Sequence, residues 1–146
     1  MFNIKIEVSS RLQKLLDGSF MQRFFLLFGN LFLDEWQKQA ASGKYWIGGA
    51  AKVLPRKSKT APHPTMLTVR TGVLRGSLQK GATDSIRNVT VGEDSFKMSL
   101  GSRVVYAARQ EYQKGGARSY VRRAFEWMKI NKVETIKKKV IKEMGW

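Results

Sequence analysis

The chain has 146 residues, the size of one domain, and 42% of them are hydrophobic, which excludes an intrinsically disordered protein. It has no cysteine and one histidine, which excludes disulfide scaffolds, thiol catalysis, and zinc or iron–sulfur sites that need several such ligands. Its 27 Lys and Arg residues against 11 Asp and Glu residues give a net charge of +16, so a polyanion or an acidic protein surface is the expected partner.

One strand and two helices are predicted in the N-terminal part of the chain. Apolar and polar residues alternate from Phe2 to Val8, which is the period of a half-buried strand. A short helix over residues 10–16 is predicted next, and Gly18 interrupts it, because glycine inside a helix costs about 1 kcal/mol. Ser19 is then suited to cap a second, longer helix from about Phe20 to Ala41.

The long helix carries apolar residues on more than one face. Its apolar run, Phe20 to Leu33, contains Arg23 and is too short to span a bilayer, which predicts that the chain does not contact a membrane. Two interpretations are open: a sheet wraps the helix within one chain, or another subunit covers its second face. The candidate subunit interface comprises the residues Phe20, Met21, Phe24, Phe25, Phe28 and Phe32.

The middle of the chain is basic. Residues 36–83 contain nine Lys and Arg residues, all three prolines and no acidic residue. The segment from Ser42 to Met66 lacks an apolar period, which predicts a long basic loop. Its clustered cations, Lys52, Arg56, Lys57 and Lys59, are candidates for contacting a partner or DNA. No DNA-binding motif accompanies them, so any contact with nucleic acid would be to the backbone rather than to the base sequence.

Further elements are predicted in the second half of the chain. Ile86–Val91 and Phe96–Leu100 are expected to form a hairpin through a polar turn. Val104–Lys114 is predicted to be a short helix, and Ser119–Phe125 is compatible with a strand or a loop. Apolar residues at every third or fourth position predict an amphipathic helix that begins near Val133 and ends at Gly145. These elements indicate an α+β fold in a single domain over residues 1–146. A small, mainly antiparallel sheet would pack against the long N-terminal helix, with an amphipathic helix at the C-terminus.

The side chains that catalysis requires are scattered. Asp34 and Glu35 are adjacent, and successive helical residues do not share a face. His63 lies between two prolines with no second ligand nearby in the sequence, and the glycines match no nucleotide-binding motif. We therefore predict that the chain is not an enzyme and has no catalytic, metal or cofactor site.

The segment from Leu67 to Leu78 carries the most distinctive motif. It contains the order Thr-Gly-x-Leu-Arg-x-Ser-aliphatic, at Thr71, Gly72, Leu74, Arg75, Ser77 and Leu78. Two further elements follow: a Tyr-Ala pair at Tyr106 and Ala107, and the basic–aromatic run Arg122-Arg123-Ala124-Phe125. In this order the chain resembles the virion morphogenesis and head–tail joining proteins of tailed bacteriophages, including the Mu-like G protein group. It departs from them at Ala124, where the family has a proline.

The resemblance implies a structural protein of the virion neck or tail end, either a head–tail joining protein or a tail terminator, made in the bacterial cytoplasm. Its copies would form a ring, commonly of six subunits, between the head connector and the tail tube, with non-specific contact to DNA in the channel. Two roles are open for Arg75: packing within its own chain, or a bidentate contact with a carboxylate of a neighbouring subunit. The alternative function, from a different class, is a small basic nucleic-acid-binding protein without sequence specificity.

Overall fold

One long helix and a three-stranded antiparallel sheet organise the fold. The computed structural model describes residues 2–7, 18–47, 67–68, 72–93, 95–112 and 119–145. The strands are β1 (Phe2–Glu7), β2 (Trp46–Ile47), β3 (Leu67–Thr68), β4 (Ser85–Val91) and β5 (Ser95–Ser102). The helices are α1 (Gly18–Ala41), α2 (Val73–Ser77), α3 (Ala107–Tyr112), α4 (Val121–Asn131) and α5 (Val133–Glu143), with a 3-10 helix at Gly43–Tyr45. The fold is therefore α+β, as predicted.

The sheet has the strand order β1-β5-β4, so β5 is central. Met98 of β5 is paired with Ile4 of β1 on one side and with Val89 of β4 on the other, and both pairings are antiparallel. The predicted hairpin is confirmed, and the amide of Gly92 donates to the carbonyl oxygen of Ser95 at its turn (2.8 Å). Strands β2 and β3 form a separate parallel pair.

Helix α1 contacts β4 and β5 as well as α4 and α5, so it joins the sheet to the C-terminal helices. It begins two residues before the predicted start and ends at Ala41, as predicted. Gly29 lets the helix approach the sheet closely, because a Cβ atom there would lie 2.7 Å from Cγ1 of Val89 and 3.0 Å from Cε2 of Phe96. The residues of α1 that are buried in the core, Phe32, Leu33, Trp36 and Ala40, all lie in its C-terminal half.

The C-terminal helices differ in part from the prediction. The predicted helix over 104–114 is shorter, because α3 covers only Ala107–Tyr112 of the residues described there. The prediction of a strand or loop over Ser119–Phe125 was wrong, since α4 begins at Val121. The physical reason is a cap supplied by Glu111 of α3, which local sequence around the helix start does not reveal. The amphipathic helix α5 is confirmed, and Gly145 follows it with a φ of +79°.

Two predicted elements fall partly or wholly outside the described residues. The short helix over 10–16 lies outside them. The predicted basic loop is wrong at its start, because residues 43–47 form the 3-10 helix and β2, and the rest of the segment from 48 to 66 lies outside. Ser42 begins the 3-10 helix by accepting the amide of Lys44 on its hydroxyl oxygen (3.3 Å). In the described part of the chain, no helix has the length and apolar character needed to cross a membrane.

Candidate functional site

The motif at Gly72 forms a tight turn that leads into α2. Gly72 has a φ of +76°, in the left-handed region that glycine adopts without strain. Its carbonyl oxygen accepts the amide of Gly76 at 2.8 Å, which closes the first helical turn. Leu74 and Leu78 are both buried in the core, so the aliphatic positions of the motif anchor this turn. Thr71 lies outside the described residues.

Arg75 contacts the C-terminal end of α1. Its Nε donates to the backbone carbonyl oxygen of Ala41 at 2.7 Å. The last carbonyls of a helix lack partners within the helix and carry partial negative charge. A guanidinium group there supplies the missing hydrogen bond and is also attracted by that charge. Arg75 therefore has a partner inside its own chain.

Ser77 connects the motif to the end of β5. Its hydroxyl lies 2.6 Å from the carbonyl oxygen of Leu74 and 2.6 Å from the hydroxyl of Ser102. Ser102 in turn accepts the amide of Val104 at 3.1 Å. These bonds fix the end of β5 against the motif and the chain just after it.

The Tyr-Ala pair opens α3. Ala107 is buried, whereas Tyr106 is exposed. The carbonyl oxygen of Ala107 accepts the hydroxyl of Tyr120 at 3.4 Å. Burial raises the pKa of Tyr120 far above its usual value, and the charge of Glu111 shifts it in the same direction. Tyr120 therefore remains a protonated donor that links α3 to the start of α4.

Glu111 is the residue that the sequence analysis missed. Its side chain is 5% exposed, and its carboxylate accepts the amides of Tyr120 (2.9 Å), Val121 (3.0 Å) and Arg122 (2.8 Å). These are amides at the start of α4, where no side chain from the preceding residue supplies a cap. One signal was available, since Glu111 is the single acidic residue between Asp94 and Glu126.

The basic–aromatic run lies on α4 against the long helix. The ring centroid of Phe125 is 5.7 Å from that of Phe32 and 5.2 Å from that of Trp36. The indole Nε1 of Trp36 donates to the carbonyl oxygen of Val121 at 2.8 Å. Arg122, at the start of the run, donates its amide to Glu111.

Two of the motif stretches therefore contact the C-terminal half of α1 directly, and Ala107 is linked to it through Tyr120 and Trp46. We call this region the motif cluster and define it as Gly72–Leu78, Tyr106–Ala107 and Arg122–Phe125. Trp46 also closes onto it, because its indole Nε1 donates to the carbonyl oxygen of Ala40 at 2.7 Å and its ring lies 5.2 Å from that of Tyr120. The cluster holds the fold together, since most of its contacts are buried or made to backbone atoms.

The candidate subunit interface lies mostly on the N-terminal half of α1. Phe32 is 2% exposed and belongs to the core of its own chain, so it offers no surface to another subunit. The remaining candidates, Phe20, Met21, Phe24, Phe25 and Phe28, are all half-buried. The rings of Phe25 and Phe28 lie 5.0 Å and 6.2 Å from that of Phe96 in β5, so the chain's own sheet covers this face of the helix. Leu26 lies on another face of α1 and is 48% exposed. No residue from 20 to 28 is fully buried, in contrast to the C-terminal half of the helix.

The candidate basic contacts Lys52, Arg56, Lys57 and Lys59 lie outside the described residues. Among the described acidic residues, Asp34 of α1 pairs with Arg87 of β4 and with Lys80, whose Nζ is 3.1 Å from Oδ1. Burial raises the pKa of the Asp34 carboxyl, but hydrogen bonds from Arg87 and Lys80 lower it by more, so its pKa lies below its usual value. This ion pair fixes α1 against the sheet.

The described ranges contain no group of three or more His, Cys, Asp or Glu side chains that could hold a metal ion. His63 lies outside those ranges, as do its two flanking prolines.

Comparison with known proteins assigns no family to this geometry. The chain matches no protein-family model, and no curated protein or solved structure is significantly similar to it. The functional argument therefore rests on the residues themselves and on where the fold places them.

Proposed function

We propose that the chain is a structural protein of the bacteriophage virion that completes the neck or the tail end. Its copies assemble as a ring between the head connector and the tail tube. The observation that supports this proposal most directly is the motif cluster. The three stretches that resemble head–tail joining proteins are far apart in the sequence, and the fold gives each of them residues in the one hydrophobic core.

The motif cluster has a supporting role in this proposal. Three of its side chains are used inside the chain: Arg75 binds the end of α1, Ser77 binds β5, and Phe125 packs on Trp36. Function is then carried by surfaces that the cluster positions. No chemical step is required, because the proposed mechanism is assembly.

The N-terminal half of α1 is the proposed contact between copies. Residues 18–33 include one charged residue, Arg23, in a chain whose net charge is +16. Two copies repel one another least where their charge density is lowest. Covering the exposed Leu26 and the remaining exposed parts of its half-buried apolar neighbours by a second copy is favourable. A second copy of this chain is therefore the occupant that charge and polarity both favour.

The solution mass of the purified chain tests the ring, measured by light scattering at low and high salt. A multimer held by apolar contacts is expected to keep its mass at high salt, because salt screens charges and not apolar burial. Leu26→Glu is expected to lower the mass. Ile130→Glu is the matched control, since Ile130 is 80% exposed on α4 and the substitution adds the same charge. A monomer under both conditions, or equal effects of the two substitutions, contradicts the proposed interface.

The basic segment is the proposed contact with an acidic face of a neck partner or with DNA in the channel. Deleting residues 52–64 is expected to leave the fold and the ring intact and to abolish the joining of heads to tails. Particle yield in a complementation assay measures this, and a normal yield would contradict it. A monomer that binds duplex DNA at low salt and releases it at high salt would instead favour the nucleic-acid-binding alternative.

A further inference from the structure

Cations and aromatic rings gather where the 3-10 helix meets α4. The Nζ atom of Lys44 lies 4.3 Å from the ring centroid of Trp127 and 5.8 Å from that of Tyr45. The Nζ atom of Lys132 lies 6.0 Å from the same Trp127 ring. Two ammonium groups from distant parts of the sequence thus converge on one indole. We call Lys44, Tyr45, Arg123, Trp127 and Lys132 the Trp127 cluster.

Arg123 belongs to this cluster through its backbone. The hydroxyl of Tyr45 donates to the carbonyl oxygen of Arg123 at 3.4 Å, which ties the 3-10 helix to α4. Burial raises the pKa of Tyr45, while the positive charge of Arg123 acts in the opposite direction. The hydrogen bond from Tyr45 holds Lys44 next to Trp127 of α4.

The rings hold the ammonium groups without neutralising them. A cation over an aromatic face is attracted by the ring quadrupole, but the ring offers no lone pair in the manner of a carboxylate. The ion pairs among the described residues involve neither Lys44 nor Lys132. Both groups therefore keep N–H donors for a ligand, and the repulsion between their charges falls when an anion binds next to them.

We propose that the Trp127 cluster is a binding site for the phosphodiester backbone of a nucleic acid. Phosphate oxygens accept hydrogen bonds from Lys44 and Lys132, whose ammonium groups the indole of Trp127 positions. A nucleic acid suits the site because its backbone carries closely spaced phosphates that can meet both ammonium groups, in a chain whose net charge is +16. The site needs only the fold of one chain, so it is independent of ring assembly.

Fluorescence anisotropy with a short fluorescein-labelled DNA duplex of mixed sequence tests the site in the full chain. Lys44→Gln and Lys132→Gln are each expected to weaken binding about eightfold at 0.1 M salt and to reduce the log–log salt slope by about 0.9, the effect of losing one phosphate contact. Lys97→Gln is the matched control, because it removes the same charge from an exposed residue of the central strand β5. Trp127→Leu removes no charge and is still expected to weaken binding, since it removes the surface that holds Lys44. Circular dichroism establishes that each variant is folded.

Three results would overturn the assignment. If Lys97→Gln weakens binding as much as Lys44→Gln does, the duplex responds to total charge and there is no local site. If poly-glutamate binds as tightly as the duplex and loses affinity in the same variants, the ligand is an acidic protein surface. If inorganic phosphate at constant ionic strength displaces the duplex at millimolar concentration, the site takes a small anion. The duplex assay is separate from the mass measurement, so the failure of either proposal is distinguishable from the failure of the other.

Discussion

Replacing Glu111 by alanine should strongly destabilise the fold, because it removes the carboxylate that caps α4. Two of the three amides that donate to this carboxylate belong to Tyr120 and Val121, which are buried, so water cannot replace the lost acceptor. A buried donor left without a partner costs about 1–3 kcal/mol. The Arg122 amide is half-buried and regains a partner from water. The expected loss is therefore about 4 kcal/mol in the free energy of unfolding.

Thermal and urea unfolding, followed by circular dichroism, measure this loss. For a chain of this length, 1 kcal/mol corresponds to about 3 °C in Tm, so Glu111→Ala should lower Tm by about 12 °C. Glu111→Gln keeps one carbonyl oxygen and should lose about half as much. Glu126→Ala is the matched control on α4, because the Glu126 side chain is 54% exposed and its ion pair with Lys129 is worth under about 0.5 kcal/mol. A loss below about 1 kcal/mol in Glu111→Ala, or an equal loss in Glu126→Ala, would refute the capping argument.

Three further perturbations test packing and electrostatics. Gly29→Ala should lower the free energy of unfolding by about 1–3 kcal/mol, because the added Cβ would lie 2.7 Å from a side-chain atom of β4. Gly76→Ala should raise it by about 0.5–1 kcal/mol, because the added Cβ would meet no atom within 4 Å in a helical position where alanine is preferred to glycine. Urea unfolding measures both, and effects of the same sign would contradict this packing. The pKa of Asp34 is lowered below 3.8, so the stability it contributes is complete above that pH and is lost as the pH falls through the lowered pKa. As the pH falls from about 5 to 2, Asp34→Asn should therefore lose less stability than the parent chain. The difference should be under about 1 kcal/mol, because solvent screens the ion pair. Identical pH profiles of the two chains would disprove this contribution of Asp34. Arg75→Ala should cost about 1–2 kcal/mol through the unpaired carbonyl at the end of α1, with part of the loss recovered in Arg75→Lys, and an unchanged urea midpoint would rule out that bond.

Elements whose pattern is local were predictable from the sequence. The alternation at residues 2–8 predicted β1, the two apolar runs on either side of a polar turn predicted the β4–β5 hairpin, and the spacing of apolar residues after Val133 predicted α5. In each case the signal is the period with which side chains fall on one face, and that period is a property of the backbone alone. The positive φ of Gly72 was also accessible, because few residues other than glycine permit such a turn.

The start of α4 was not predictable in this way. The apolar residues Val121, Ala124, Phe125 and Met128 follow a helical spacing that the sequence analysis missed, but this period does not mark where the helix begins. Tyr120 offers no side-chain cap there. The helix begins there because Glu111, on another helix, accepts its first amides. A cap contributed by a different element leaves no trace in the segment it stabilises.

The sequence by itself determined the composition of the candidate sites: an apolar helix with one internal charge, a basic middle segment and three short motifs. Only the tertiary structure decided which of these residues meet. It buried Phe32 in the core and left Leu26 exposed, although both are apolar residues of the same helix. It also brought Lys44 and Lys132, which are far apart in the sequence, to the same indole ring. The physical reason is that periodicity acts between neighbours along the backbone, whereas capping, burial and charge convergence depend on distances that exist only after the chain has packed.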